Sequence, residues 1–323
     1  LPDALRWCFA ELWTARIETH RAFLTPAQAT PAPPPAPAGR AQLEAQYEAY
    51  PYPARDPKDE KRRLQLGSPS NLPELDHYVF GGRRDARRGL NVLVAGGGTG
   101  DASIMLAQQL SEADPQARVT QLDLSRASLD IARARAEVRG LSNLRFLQGS
   151  LLELKSLGLG GFDYIDCCGV LHHLERPEQG LRALAEALTP EGGIGLMLYG
   201  AIGRTGVYPV QQMLRWIAPE GELEAATRID LARRLVAALP PSNLFSGDPA
   251  LSDHMHGGDA GVFDLFLHSR DRAYRVPEVL ALAASAGLRV TAFTPPGTYA
   301  PSAYVADAEL RKRCRRLPRQ YGR

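Results

Sequence analysis

An α/β fold built on a mostly parallel sheet with helices on both faces is what this 323-residue sequence predicts. Two observations predict the topology. The run Asn91-Val92-Leu93-Val94-Ala95-Gly96-Gly97-Gly98-Thr99-Gly100-Asp101 is an apolar strand that ends in glycines where a helix begins. From there to residue 199, short apolar runs at 117–122, 144–148, 162–168 and 193–199 alternate with helical spacers, the pattern of repeated βαβ units. A third observation bounds the class: with 44% hydrophobic and 23% charged residues, the chain has the composition of a protein that buries a full core.

The elements divide the chain into six stretches. Residues 1–39 read as a helix, with Leu5, Phe9, Leu12 and Ile17 at near-helical spacing, followed by a Pro/Ala-rich extended linker through Pro31 to Pro37. Residues 40–90 read as an N-terminal lid segment: a helix carrying Leu43, Tyr47 and Tyr50, a break at Pro51-Tyr52-Pro53, then a charged, loop-like run. Residues 91–199 form the alternating core. Residues 200–270 interrupt the alternation, which is long for a connection in an α/β domain, and read as an insertion with helices around Met213 to Ile217 and over 223–239. Residues 271–310 resume the sheet domain through a helix over 276–286, a stop at Gly287 and a strand over 288–293. Residues 311–323 form a basic tail.

The glycine turn carries the first chemical information. Glycine lets backbone approach a ligand closely and adopt the positive φ of a tight strand-to-helix reversal. The free N–H groups and positive dipole end of the following helix, expected over 102–110, face the same turn. A dinucleotide fingerprint G-x-G-x-x-G starting at Gly96 needs a third glycine at 101, where Asp101 stands, so an NAD(P) oxidoreductase is disfavoured. Asp123 ends the second strand, where a carboxylate can accept the hydroxyls of a ribose.

From the glycine turn through Leu144-Arg145-Phe146-Leu147-Gln148-Gly149-Ser150, Phe162-Asp163-Tyr164-Ile165-Asp166-Cys167-Cys168-Gly169-Val170-Leu171-His172-His173-Leu174 and Gly193 to Tyr199, the chain resembles the class I S-adenosylmethionine-dependent methyltransferases. The resemblance implies a Rossmann-like, doubly wound, mostly parallel seven-stranded sheet with an N-terminal helical extension and a substrate-side helical insertion after strand five. It implies S-adenosyl-L-methionine as cofactor, held by Gly96, Gly97, Gly98, Gly100, Asp101, Asp123, Leu124, Ser150, Leu151 and Gly169. Two positions depart from the family pattern. The acid usual two residues before the first glycine is Val94 here, so Asp101 or an acid from elsewhere is expected to replace it. The aspartate usual at the third turn is Ser150, whose hydroxyl accepts a hydrogen bond more weakly.

Methyl transfer by in-line displacement needs a held nucleophile and, where that nucleophile is protonated, a base. Loops at the carboxyl ends of strands face the crevice of such sheets, which makes His172, His173, Tyr199 and, from the insertion, His256 the catalytic candidates. His254 and His256 between Asp253 and Asp259 have no matching distal ligand pair, so no metal is expected. The reaction class is methylation of an N or O nucleophile; residues 253–277 are loosely similar to bacterial protein-lysine methyltransferases, leaving a protein lysine or a small molecule as acceptor. A non-catalytic S-adenosylmethionine-binding regulatory module is the alternative, favoured by Val94 and Ser150.

Thirty-eight basic against 36 acidic residues give a net charge of +2, which argues against nucleic acid as the partner. Four cysteines at positions without disulfide or zinc spacing, and no apolar run long enough for a membrane span, lead to the expectation of a soluble, cytoplasmic protein in a reducing compartment. Sequence alone leaves the oligomeric state open.

Overall fold

The computed structural model describes residues 40–66, 69–83, 89–113, 116–246, 251–299 and 304–316. The helix and linker predicted before residue 40 lie outside them. The longer elements are α1 (Arg40–Ala49), β1 (Asn91–Ala95), α2 (Asp101–Ala113), β2 (Arg118–Asp123), α3 (Arg126–Val138), β3 (Leu144–Gln148), β4 (Phe162–Cys168), α4 (Pro177–Glu186), β5 (Leu188–Met197), α5 (Val207–Ile217), α6 (Ala225–Ala238), α7 (Val276–Ser285) and α8 (Ala308–Arg316).

Five strands form one parallel sheet in the order β3-β2-β1-β4-β5. The order reverses beside β1, so the crevice at the carboxyl ends of β1, β2 and β4 is the topological switch point, where open α/β sheets bind ligands. The central strands are continuous apolar runs because both faces are covered. On one face Leu93, Ala95, Ile165 and Cys167 pack with Leu181 and Leu184 of α4 and Leu282 of α7. On the other, Val92, Val94, Val119 and Tyr164 pack with Leu106, Ala107 and Leu110 of α2 and with Leu72, Leu75 and Phe80 of the lid segment.

The seven-stranded expectation is corrected to five among the described residues. Residues 288–293 have the alternation of a strand but form no ladder; Leu288 packs against the core, and the chain then meets Pro295 and Pro296, which have no N–H to donate. Alternation records which side chains are apolar, not whether a neighbouring strand offers an edge. The first part of the basic tail lies in α8, which begins at Ala308.

The insertion has its own apolar cluster, in which Val207, Val210 and Leu214 of α5 meet Ile229 and Ala232 of α6 and the helical turn Phe263–Leu267. The stacking of Tyr50 on Phe263, at 4.8 Å between centroids, ties the lid segment to this cluster. α1 is anchored from the other side. Glu48 accepts hydrogen bonds from the Ser125 hydroxyl at 3.0 Å and the Ala127 N–H at 3.1 Å, placing a carboxylate on the N-terminus of α3. That contact sets Tyr47, one residue earlier, over the end of β2.

A buried ion network holds the rest of the lid. The Arg135 side chain of α3 is 1% exposed and reaches Glu60 at 2.6 Å and Asp101 at 2.7 Å. Arg139 also pairs with Glu60, and Arg55 grips both oxygens of Asp101 at 3.0 and 2.6 Å. The network joins the lid to both helices that flank the glycine turn.

Candidate cofactor and acceptor site

A cavity of about 340 Å³ opens at the switch point, bounded by the glycine turn, the ends of β2, β4 and β5, the lid and the insertion. Its floor is the turn 96–98. Gly96 and Gly98 have φ of +74° and +53°. A Cβ on Gly96 would stand 2.4 Å from Val170, one on Gly97 2.6 Å from Gln121, and one on Gly98 2.4 Å from the Tyr52 carbonyl oxygen. These glycines therefore let Val170, Gln121 and the Tyr52-Pro53 backbone pack directly on the turn that floors the cavity, with that backbone held by the Thr99 hydroxyl donating to the Pro53 carbonyl at 2.6 Å. Gly100 serves packing instead: a Cβ there would meet Ala132 of α3 at 2.8 Å, and the residue does not line the cavity.

Asp123, 9% exposed, lines the cavity at the end of β2. Its two oxygens accept the Gly98 N–H at 2.7 Å and the Ser125 N–H at 2.9 Å. Burial pushes its carboxyl above the ordinary value, partly offset by these backbone donors. Each oxygen keeps further acceptor capacity for ligand hydroxyls. Leu124, Leu151 and Gly169 line the same cavity, and so does Ser150, whose hydroxyl accepts the Leu152 N–H at 3.2 Å within a capping box completed by Glu153. The hydroxyl proton and a second lone pair remain for a ligand.

Asp101 borders the cavity, but its carboxylate is committed. Burial raises its pKa, while the hydrogen bonds and charges of Arg55 and Arg135 more than reverse this and hold it below the ordinary value. The expected replacement for the acid missing at 94 therefore serves the lid network.

At the opposite end the insertion meets the loop after β4. His173 is 6% exposed and its Nδ1 lies 2.7 Å from the Arg270 carbonyl oxygen. A carbonyl only accepts, so Nδ1 carries the proton and Nε2 keeps a lone pair, on a ring that lines the cavity. Burial lowers the His173 pKa to about 4, so the ring is neutral at pH 7. His268 stacks on it at 3.8 Å. Its Nδ1 accepts the Arg270 N–H at 3.0 Å, which puts its proton on Nε2, 3.0 Å from the Tyr47 hydroxyl. Tyr47 in turn donates to Asp264 at 3.3 Å, as Tyr199 does at 3.4 Å. Burial and the charge of Asp264 raise the Tyr47 pKa well above its ordinary value, so the phenol keeps its proton.

His173, Asp264 and His268 bring ligand-type atoms within 4.8 Å of one another. Both nitrogens of His268 have partners within the protein, however, and Asp264 receives two phenols, so the group is already satisfied as a hydrogen-bond chain.

Two catalytic candidates fall elsewhere. His172 is 1% exposed, does not line the cavity, and neither ring nitrogen has a hydrogen-bond partner. Burial lowers its pKa to about 2, and it packs on Tyr199 at 3.8 Å between centroids, as Arg204 does at 3.7 Å. It shapes the position of Tyr199. His256 is exposed and lies away from the cavity, because residues 253–256 form a helical turn on the outside of the insertion. Asp264, His268 and Asp166, all cavity-side or adjoining it, escaped the sequence reading. A buried acid within an otherwise apolar run was the available signal for Asp166 and Asp264.

Residues 93–194 match the family model of a methyltransferase domain. With the sheet order and the glycine cradle, this makes the core a class I, Rossmann-like domain of the S-adenosylmethionine-dependent methyltransferases. The cradle, Asp123 and the apolar wall of Leu122, Leu124 and Leu151 fit that cofactor's ribose, adenine and backbone-bound parts.

Among relatives, an uncharacterised protein of Synechococcus sp. is 32% identical over 207 residues, 62% of this chain and 47% of its own length. The demethylmenaquinone methyltransferase of Listeria welshimeri is 32% identical over 106 residues, 33% of this chain and 43% of that protein. The tRNA 5-carboxymethoxyuridine methyltransferase of Escherichia coli is 33% identical over 115 residues, 35% of this chain and 42% of that one. The chain thus spans less than half the length of these relatives. Among solved structures, PKMT2 from Rickettsia typhi superposes with a TM-score of 0.53 at 19% identity, covering 67% of this chain and 42% of that one, a likeness of fold. Among the described residues no helix is long and apolar enough to cross a membrane.

Proposed function

We propose that the chain methylates a nitrogen or oxygen nucleophile, carried by a protein lysine or a small molecule, with His173 taking the nucleophile's proton. The observation that carries this reading is the fixed tautomer of His173: the Arg270 carbonyl holds the proton on Nδ1 and leaves Nε2 as a neutral acceptor on the cavity wall. When bound, S-adenosylmethionine supplies an electrophilic methyl group on a sulfonium.

The residues divide the work. Gly96, Gly97 and Gly98 floor the cavity, and Asp123 accepts the ribose hydroxyls. Tyr47 and Tyr199, fixed on Asp264, wall the acceptor end with aromatic faces, which favour a cationic group nearby. Asp264 gives that end one negative charge, suited to an amine arriving as ammonium. The acceptor end is walled by buried side chains of the lid and insertion, and such burial favours the neutral, attacking form of the amine. As the nucleophile–carbon bond forms and the carbon–sulfur bond breaks, His173 Nε2 accepts the departing proton. The curated relatives named above act on different acceptors, so they do not narrow the choice.

The test compares the natural chain with His173→Gln for binding of S-adenosylhomocysteine and for transfer of labelled methyl from S-adenosylmethionine to components of a cell extract. Unchanged binding with labelling reduced by about 100-fold or more supports the base assignment. Labelling unaffected by the substitution refutes it. Binding without any labelling selects the regulatory-module alternative.

A further inference from the structure

The departure at Val94 has a structural counterpart on the neighbouring strand. β1 and β4 are parallel partners, and Val94 is in register with Asp166. Register partners in a sheet project to the same face, so a carboxylate on residue 166 stands beside the position that residue 94 leaves apolar. Both residues line the cavity.

We infer that Asp166 is the anionic subsite for the α-ammonium group of the cofactor's amino-acid end, replacing across the strand pair the acid absent from β1. This rests on the cofactor reading of the cavity. Three observations support it. Asp166 is 2% exposed, yet among the described residues it forms no ion pair with lysine or arginine. It accepts from the Ser70 hydroxyl at 2.5 Å, from the Tyr164 hydroxyl and from the Cys168 thiol and N–H, all of them neutral donors. A buried carboxylate held by neutral donors is costly without a compensating charge, and burial pushes this one above its ordinary pKa despite those donors.

The other cavity acids are occupied. Asp101 is neutralised by two guanidiniums, Asp123 serves two backbone N–H groups at the ribose end, and Asp264 receives two phenols at the acceptor end. Asp166, held among the described residues by neutral donors alone and standing beside Val94, is the carboxylate whose charge a ligand cation at that position would balance. Tyr164 and Cys168, its titratable neighbours, are both pushed up by burial and stay neutral at pH 7, adding no competing charge.

The experiment uses two ligands: S-adenosylhomocysteine and the analogue in which hydrogen replaces the α-ammonium group. The natural chain is expected to prefer the first by at least 10-fold. Asp166→Asn keeps an oxygen for the Ser70 hydroxyl and nearly the same volume; it should lose that preference while binding the des-amino analogue within threefold of the natural chain. Equal loss of both ligands, or retained preference, overturns the assignment. Failure of the natural chain to bind either ligand would instead refute the cofactor reading on which the assignment stands.

Discussion

Replacing Asp123 by asparagine probes the cofactor site at its best-defined contact. The carboxylate accepts the Gly98 N–H at 2.7 Å on one oxygen and the Ser125 N–H at 2.9 Å on the other. An asparagine can satisfy only one of these donors, because its NH₂ group must face the second. It also offers one acceptor oxygen, uncharged, where a ribose presents two hydroxyls. Losing a hydrogen bond to a charged acceptor costs about 1.5–3 kcal/mol. Ligand affinity should therefore fall by about 1.5–3 kcal/mol, roughly 10- to 150-fold in Kd. The fold should survive, since burial already disfavours the charge that the substitution removes. Calorimetric titration with S-adenosylhomocysteine, alongside thermal unfolding, measures both. A properly folded Asp123→Asn chain with affinity within threefold of the natural one would refute this account of the ribose contact.

Other consequences concern the lid and the histidines. Arg135→Met leaves Glu60 to Arg139 and Asp101 to Arg55, and thermal unfolding should show a loss of about 2 kcal/mol, on the order of 5 °C; a shift under 2 °C would contradict the network's role. His172 and His173 have folded pKa values of about 2 and about 4, below the unfolded value, so the unfolded chain binds more protons as pH falls and stability drops from about pH 6.5 towards 4. His172→Phe removes one buried imidazole whose nitrogens have no partner. It should gain about 2 kcal/mol over the natural chain at pH 5 and show no such pH-linked gain at pH 8, read from urea midpoints; an unaltered acid limb would show that His172 is not buried neutral.

How much was legible in the sequence follows the reach of each signal. The strand-turn-helix at Asn91 to Asp101 and the acid at the end of β2 are local features, and local chemistry dictates them: glycines where a Cβ would clash, and a carboxylate at a strand end. The same local logic overreached at residues 288–293, where alternation predicted a strand that has no paired edge. It also assigned His172 and His173 alike, although adjacent residues on a tight turn point different ways: one ring wedges against Tyr199, the other lines the cavity. Asp264, His268 and Tyr47 come from segments more than 200 residues apart, and only packing of the lid against the insertion brings them together. The pairing of Val94 with Asp166 is likewise a matter of strand register, which a single sequence does not print.

Calorimetric titration of the whole chain with S-adenosylhomocysteine, with NADH run in parallel, tests the central claim most directly. The glycine cradle, Asp123 and the methyltransferase-domain match predict micromolar binding of the first and none of the second. Absence of S-adenosylhomocysteine binding, or tighter binding of NADH, would contradict it.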